Sequence, residues 1–342
     1  MKKLLIESCH ENGYEFYRIP GTVIANNGNI LVYYECRHGN DWGVSDIAYK
    51  ISRDGGNTFS DRRIIVSGEG YNLVHSPMMI VKGDKIHFLY MKNYCECYYK
   101  VSVDGGETFS ASTRLYVLDE FRPEYLWSVA ALGPGHGITL KNGRMLVGLW
   151  MAHNMTDRTK HRPSKIATIY SDDDGLTWQR GEIVNTELVN PSENVLAELD
   201  NKVIMNIRCE NLYRRRIQTE SPTGISNWSK EEYVDELPDP VCAAGLTQNG
   251  NVLYFTNCNT EGFDDKDKLS QLLKDSRINL SLKKYVNNHW ELVTKIDDFG
   301  GYSDVYASGS KLVCLYEGGR IKEIDHWSGF YGLYFVILDE FL

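Results

Sequence analysis

The stretch TVIANNGNILVYY, Thr22–Tyr34, indicates the architecture of this chain. A short apolar strand enters an Asn-Gly turn and a second apolar strand leaves it, which is the pattern of a β-hairpin. The pattern recurs in MMIVKGDKIHFLY (Met78–Tyr90), GITLKNGRMLVGL (Gly137–Leu149), NVLAELDNKVIMNI (Asn194–Ile207), AGLTQNGNVLYFT (Ala244–Thr256) and DVYASGSKLVCLY (Asp304–Tyr316). Because the turns return roughly every 50 to 60 residues, each unit has room for four strands, as in a β-propeller. We predict an all-β, six-bladed propeller of four-stranded antiparallel blades, with residues 1–342 forming one domain.

The charge distribution and the lengths of the apolar runs argue against a nucleic-acid-binding protein and against a membrane protein. The net charge is −9, and the only dense basic run is Tyr213-Arg214-Arg215-Arg216, which we interpret as a solvated strand edge. Scattered basic residues argue against a nucleic-acid surface. The apolar run Leu4–Ile6 is too short for the core of a signal peptide. The sequence also contains no apolar run that is long enough to span a membrane. We therefore expect a cytoplasmic location, or a secreted protein if a leader has been removed, with no membrane partner.

The eight cysteines are scattered along the chain. Several fall inside predicted strands, so we expect most of them to be reduced and buried thiols. The pair Cys95-x-Cys97 has no second pair nearby, and we predict no metal site there.

A second turn follows several hairpins. Ser52–Phe59 (SRDGGNTF), Ser102–Phe109 (SVDGGETF) and Ser171–Trp178 (SDDDGLTW) share one frame, and Ser221–Trp228 is a degenerate copy. The Asp carboxylate can accept backbone N–H bonds within the turn, and glycine supplies positive φ. This motif resembles the Asp-box of the sialidases, or neuraminidases, of the bacterial type with BNR repeats. We interpret it as a structural fastener.

The two ends of the chain are predicted to close the ring. Lys3–Glu7 forms a lone strand before the first hairpin, and Tyr331–Leu338 is the last apolar strand. We predict that they pair in the final blade, because pairing also covers an open sheet edge.

Charged residues recur at one phase of the hairpins. In an antiparallel hairpin, the start of the first strand and the end of the second lie at the same end. The residues at these phases should meet at one mouth of the propeller; they are Arg18, Glu35, Arg37, Asp41, Glu193, Arg208, Tyr302 and Glu317. Grouped arginines repel one another unless they bind an anion, so the pattern predicts a site for an acidic ligand.

These residues resemble the sialidase active site in family order, over nearly the whole chain. Tyr17-Arg18-Ile19-Pro20 is similar to the motif that opens the catalytic domain, which implies that Arg18 is the first of three arginines that grip the substrate carboxylate. By the same resemblance Arg208 is the second arginine and Arg277 the third. Arg37, in Glu35-Cys36-Arg37, would line the sugar site, and Glu317 would hold Arg18 in place.

The resemblance also implies three catalytic residues. Tyr302, in Gly301-Tyr302-Ser303-Asp304, looks like the nucleophile, Glu193 like its base, and Asp41 like the acid/base. A tyrosine is neutral until activated, which suits attack beside a substrate carboxylate. We expect the arginines to favour the ionised phenol. We also expect burial by bound substrate and by neighbours such as Trp42 to raise the pKa of Asp41. The chemistry needs no cofactor.

Several functions remain open on these residues. The leading hypothesis is a retaining exo-α-sialidase that acts on sialylated glycans. The alternatives are a hydrolase or lyase acting on another acidic sugar, and a non-catalytic propeller that binds acidic sugars. Since binding alone needs only the arginines, Tyr302, Glu193 and Asp41 together favour an enzyme. Residues 150–162 (WMAHNMTDRTKHR) have no family counterpart, and we expect them to shape the far end of the substrate site.

Overall fold

The computed structural model describes residues 1–69, 72–154, 157, 160–211, 213–260, 277–321 and 329–342. Within these ranges nearly all regular structure is β. In chain order the strands are β1 Lys3–Ser8, β2 Phe16–Ile24, β3 Ile30–Arg37, β4 Ser45–Ser52, β5 Arg63–Val66, β6 Val74–Lys82, β7 Lys85–Lys92, β8 Glu96–Ser102, β9 Thr113–Leu115, β10 Val129–Leu132, β11 Ile138–Thr139, β12 Met145–Ala152, β13 Ser164–Ser171, β14 Gln179–Ile183, β15 Asn194–Leu199, β16 Lys202–Ile207, β17 Arg215–Ser221, β18 Glu232–Pro238, β19 Gly245–Asn249, β20 Val252–Cys258, β21 Ile278–Val286, β22 His289–Ser308, β23 Lys311–Gly318 and β24 Gly332–Ile337. Two short 3-10 helices span Val117–Phe121 and Asp339–Phe341.

The six predicted hairpins are confirmed as antiparallel strand pairs. They are β2–β3, β6–β7, β11–β12, β15–β16, β19–β20 and β22–β23. In the third, the incoming strand is split, because β10 pairs with the far half of β12 and β11 with its near half. The first strands of successive hairpins pack side by side, and β22 contacts β2, so the sheets close into a propeller arrangement.

The prediction of six separate blades is wrong. Within the described ranges, β2–β5, β6–β9 and β15–β18 form four-stranded sheets, and β10–β14 form a five-stranded one. The remaining strands form a single seven-stranded sheet in the order β1-β24-β23-β22-β21-β20-β19. The cause is β22, a 20-residue strand that pairs with β21 through Phe299 and with β23 from Gly300. No turn separates its two halves, so hydrogen bonding continues across what the sequence suggested were two blades.

Ring closure by the N-terminal strand is confirmed. β1 pairs antiparallel with β24, from Lys3 opposite Val336 to Ser8 opposite Gly332. This pairing covers the outer edge of β24 and ties the start of the chain to its end.

The Asp-box turns act as fasteners between the third and fourth strands of a blade. In the first, the Asp54 carboxylate accepts from Thr58 N at 3.0 Å and from Thr58 Oγ1 at 2.6 Å, while Ser52 Oγ accepts from Gly56 N at 2.8 Å. Asp104 and Asp173 make the same bonds in the second and third copies. The closing Phe59 then packs edge-on against Phe335 of the last sheet.

The core lies between adjacent sheets. One cluster joins β6 and β7 to β12 and β13 through Ile80, Leu89, Val147 and Ile169, which are all completely buried. All eight cysteines are free thiols, and only Cys95 is exposed. In the part of the chain that the structure describes, no helix has the length and apolarity to cross a bilayer.

Candidate active site

One cavity of about 440 Å³ opens where the first strands of the hairpins begin. Its lining comes from all parts of the ring, from β2 through β22. Eight of the nine residues singled out from the sequence line it: Arg18, Glu35, Arg37, Asp41, Glu193, Arg208, Arg277 and Tyr302. The ninth, Glu317, forms an ion pair with Arg18. The phase argument therefore brought together residues up to 299 positions apart in sequence.

Tyr302 lies at the centre of the basic side of this cavity. Its hydroxyl donates to Glu193 Oε1 at 2.5 Å and accepts from Arg208 Nη1 at 2.7 Å. Arg208 also contacts Glu193 Oε2, so the three side chains form a closed triangle. The three arginines favour the ionised phenol, as expected, because each of them lowers the pKa of Tyr302. Burial raises the pKa of Tyr302 far above its ordinary value, and the effect of the three arginines does not cancel it.

Three arginines surround the ring of Tyr302. The distances from the guanidinium carbon to the ring centroid are 5.2 Å for Arg18, 5.9 Å for Arg208 and 5.4 Å for Arg277. All three are mostly buried, although only Arg18 and Arg277 have less than a tenth of their surface exposed. A cluster of three buried cations is an anion site that is complete before any ligand arrives.

Arg18 is held by a buried ion pair. Its Nε donates to Glu317 Oε1 at 2.5 Å, and the side chains are 3% and 0% exposed. The same carboxylate accepts from Ile19 N at 3.2 Å and from Tyr302 N at 3.1 Å. Glu317 therefore connects the first arginine to the backbone of the residue proposed as nucleophile.

A strained bulge turns Arg18 into the cavity. The register of β2 against β3 shifts between Arg18 and Gly21, and Ile19 has φ of 55°, which is unfavourable for a β-branched residue. Gly21 permits the bend, because a Cβ there would come within 2.1 Å of the Tyr33 ring. Such local strain is often found where a side chain must be aimed at a ligand.

Arg37 connects two carboxylates at the other side of the cavity. Its Nε donates to Glu35 Oε2 at 2.6 Å and its Nη1 to Asp41 Oδ1 at 2.5 Å. Burial raises the pKa of Asp41, but Arg37 and Arg18 outweigh it and lower the pKa to about 2. Burial near Trp42 alone therefore does not give Asp41 a raised pKa, because Arg37 bonds directly to the carboxylate. The rise expected on burial by bound substrate stays a prediction.

An aromatic wall faces the arginines, and the sequence analysis missed most of it. It consists of Trp42, Tyr94, Trp150 and His161, with ring centroids 4.6 Å apart for Trp42 and Tyr94 and 5.1 Å for Trp150 and His161. Burial lowers the pKa of His161, and its Nε2 is buried without a hydrogen-bond partner among the described residues. Trp150 and His161 belong to the segment 150–162 and line the cavity, while residues 155–156 and 158–159 lie outside the described residues. That this segment shapes the far end of the substrate site stays a prediction. Only the lack of a family counterpart pointed to this wall.

In the described ranges, no group of three or more His, Cys, Asp or Glu side chains is placed to hold a metal ion. The groups of the cavity that can act chemically are its carboxylates, its phenol and its guanidinium groups. Together they can bind an anion, move a proton and supply an oxygen nucleophile.

The chain is similar to known sialidases in sequence and in fold. A sialidase of Bacteroides fragilis is 25% identical over 316 residues, which are 76% of this chain and 56% of that protein. Hadza microbial sialidase Hz136 superposes with a TM-score of 0.80 at 20% identity, covering 99% of this chain and 69% of that one. Trypanosoma rangeli sialidase in complex with 2,3-difluorosialic acid, described as a covalent intermediate, gives a TM-score of 0.73 at 20% identity, covering 98% of this chain and 58% of that one.

The chain spans about half the length of the curated relatives that it matches, 56% of the Bacteroides protein and 42% of a sialidase from Micromonospora viridifaciens. The family model described as a BNR repeat-like domain matches residues 91–313, well over half of the chain. The protein with this ring of hairpins and Asp-boxes belongs to the BNR repeat-like domain family, and its relatives are sialidases.

Proposed function

We propose that the protein is a retaining exo-α-sialidase, which hydrolyses terminal α-linked sialic acid with Tyr302 as nucleophile. The observation that carries the proposal is the set of three arginines around a tyrosine whose hydroxyl donates to a glutamate at 2.5 Å. The arginines bind the carboxylate that sialic acid carries on its anomeric carbon. Similarity to sialidases supports the same substrate class.

In the first step, Tyr302 Oη attacks the anomeric carbon while Glu193 Oε1 takes the phenol proton. The raised pKa of Tyr302 keeps the nucleophile neutral until this moment, so it is not repelled by the substrate carboxylate. Arg208 Nη1, 2.7 Å from the phenol oxygen, stabilises the negative charge that develops as the proton leaves.

Asp41 is the acid/base residue of the proposal. It protonates the glycosidic oxygen as the bond from that oxygen to the anomeric carbon breaks, and then removes a proton from the water that attacks the same carbon. This second attack breaks the bond to Tyr302 Oη, which takes its proton back from Glu193, so that configuration is retained. Because Arg37 and Arg18 lower its pKa to about 2, the acid role requires substrate to loosen the Arg37 contact first. Bound sugar would do this by taking hydrogen bonds from Arg37 and by shielding Asp41 from water.

The catalytic domain of the proposal comprises residues 1–342 as a six-bladed propeller in which β22 joins the last two blades into one sheet. In support, β22 changes partner between Phe299 and Gly300, so its two halves serve as the outer strand of one unit and the inner strand of the next. Tyr302 lies just after this change of partner. The shared strand thus couples the nucleophile rigidly to its neighbouring unit.

Release of a chromophore from a 4-nitrophenyl α-sialoside tests the function. Wild type and Tyr306→Phe should be active, because Tyr306 lies on the same strand but does not line the site, whereas Tyr302→Phe should lose nearly all turnover. Activity on another acidic glycoside but not on the sialoside would contradict the substrate. Full activity of Tyr302→Phe would contradict the mechanism.

A further inference from the structure

The segment between β18 and β19 passes beneath the arginines. Its Val241 has φ of 62°, an unfavourable value for a β-branched residue, and its carbonyl oxygen accepts a long hydrogen bond of 3.4 Å from Arg277 Nη2. The next residue, Cys242, is fully buried in a small cluster with Tyr302 and Cys258. Residues 239–242, named here the support loop, therefore touch both an arginine of the site and the proposed nucleophile.

Arg216 contacts two residues of the support loop, Asp239 and Cys242. Its Nη1 donates to Cys242 O at 3.0 Å and lies 3.4 Å from Asp239 Oδ2, and its Nε donates to Asn206 Oδ1 at 2.7 Å. The other Asp239 oxygen accepts from Cys242 N at 3.0 Å. Arg216 belongs to the basic run that we interpreted as a solvated strand edge. That interpretation is wrong for Arg216, which is only 1% exposed.

A second contact fixes the loop from the other side. Asn257 Nδ2 donates to Pro238 O at 2.6 Å, and Lys283 Nζ donates to Asn257 Oδ1 at 2.9 Å. Asp239 and Asn257 are each 1% exposed and Lys283 is 2% exposed. The Arg216 guanidinium, the Asp239 carboxylate and the Lys283 amine are thus buried together between β17 and β21.

Such a network is a poor way to gain stability. Removing charges from water costs several kcal/mol per ion, and buried ion pairs can often be replaced by apolar residues without loss. What a hydrogen-bonded network can do better than an apolar cluster is hold a backbone segment in one unfavourable geometry. Here the held segment is the one that contacts Arg277 and packs against Tyr302.

We propose that Arg216 and Asp239 are positioning residues for substrate recognition. They lock the support loop, so that Arg277 is in place before the substrate carboxylate arrives. This inference rests on the proposed function, because it assigns the effect to binding of a sialic acid carboxylate. It predicts that Asp239 acts through Arg277 and not through the general stability of the fold.

A double-mutant cycle with Asp239→Asn and Arg277→Ala tests the inference. The ligand is 2,3-didehydro sialic acid, measured by calorimetry on the full chain. Asp239→Asn places an N–H donor against either Arg216 Nη1 or Cys242 N and so loosens the loop. We therefore expect about tenfold weaker binding, the scale of one charge-assisted hydrogen bond. In the Arg277→Ala background the same change should cost less than about twofold. In turnover assays KM should rise about tenfold with kcat nearly unchanged, as expected when binding is weakened equally in the ground and transition states.

Two further variants complete the experiment. Asp235→Asn is the matched control, because Asp235 is exposed on β18 and accepts a hydrogen bond from the exposed Tyr213. Ligand binding by this variant should equal that of wild type. Val241→Gly should fold even if Asp239→Asn does not, since glycine adopts positive φ without strain. It should weaken binding about threefold by freeing the loop, and only when Arg277 is present.

If Asp239→Asn weakens ligand binding equally with and without Arg277, the inference alone is overturned. If Asp239→Asn does not fold, unchanged ligand binding by Val241→Gly overturns it instead. Failure of wild type to bind the analogue would overturn the proposed function, and the inference with it.

Discussion

Replacing Glu317 with glutamine should damage both the stability and the activity of the protein. Glu317 is 0% exposed and accepts from three donors: Arg18 Nε through Oε1, Ile19 N through Oε1, and Tyr302 N through Oε2. Glutamine has one acceptor oxygen and one donor NH₂ group. Whichever way the amide is turned, a donor faces a donor, and either Arg18 or the Tyr302 backbone loses its partner.

The size of the effect follows from burial. Removing one partner of a buried ion pair costs about 3–5 kcal/mol, because the remaining charge is left uncompensated. Glutamine keeps one of the two acceptor positions, so we expect Glu317→Gln to lower the free energy of unfolding by about 3 kcal/mol. Because Arg18 is also freed to move, KM for a sialoside should rise as well.

Urea unfolding followed by tryptophan fluorescence measures the loss. Glu340→Gln is the control, because Glu340 is exposed and, among the described residues, forms an ion pair of 3.7 Å with the N-terminus. This substitution should lower the free energy of unfolding by less than about 0.5 kcal/mol. The double change Arg18→Met with Glu317→Leu removes both charges and should recover most of the stability, but no activity. A Glu317→Gln protein as stable and as active as wild type would refute the reasoning.

Three further predictions concern protonation, folding and catalysis. Burial lowers the pKa of Lys283 to about 7 in the folded protein from an ordinary 10.5, so the unfolded chain binds more protons between these values and stability rises with pH across that window. Lys283→Met should abolish this rise, about 1.4 kcal/mol per pH unit in urea unfolding at pH 7, 8 and 9; an unchanged slope would contradict the shift. Asp104→Ala removes the bonds from Thr108 N and Oγ1 and should lower the melting temperature by a few degrees without changing KM, whereas a large rise in KM would show that the Asp-box reaches the site. Asp41→Ala should lower kcat/KM for sialyllactose by about 100-fold or more but spare 4-nitrophenyl sialoside, whose leaving group needs no proton, and equal losses would contradict the acid role.

Local patterns in the sequence predicted most of the fold. Each hairpin depends on an alternating apolar strand and a turn residue such as Gly28, whose φ of 87° suits the turn. The Asp-boxes are equally local, because Asp54 and Thr58 bond within one turn. The shared strand β22 was not predictable in this way. Its pairing partner changes from β21 to β23 at Phe299–Gly300 without a turn in the chain, so no local turn signal marks the change.

The positions of the site residues were predictable from the sequence, whereas their protonation states were not. The phase of the hairpins predicted that Arg18, Glu193 and Tyr302 would meet, because strand ends at one phase share one end of the sheet. It did not predict the protonation states. The pKa of Asp41 depends on a direct contact with Arg37, and that of Tyr302 on complete burial, which require coordinates rather than spacing.

The burial of Arg216 also lay beyond the sequence pattern. In the run Arg214-Arg215-Arg216, alternation along β17 points neighbouring side chains to opposite faces, so only the position of the next sheet decides which one is buried. An acidic partner was present at Asp239, but 23 residues away, with nothing local to connect the two.

Trapping of the covalent intermediate tests the central claim most directly. The wild-type protein is incubated with 2,3-difluorosialic acid, which slows release of the glycosyl enzyme, then digested with a protease and analysed by mass spectrometry. Tyr302 Oη displaces the fluoride at C2, so we expect one added 3-fluorosialyl group on the peptide that contains Tyr302, and none in Tyr302→Phe. An adduct on Asp41 or Glu193, or turnover of sialosides with no adduct on Tyr302, would contradict it.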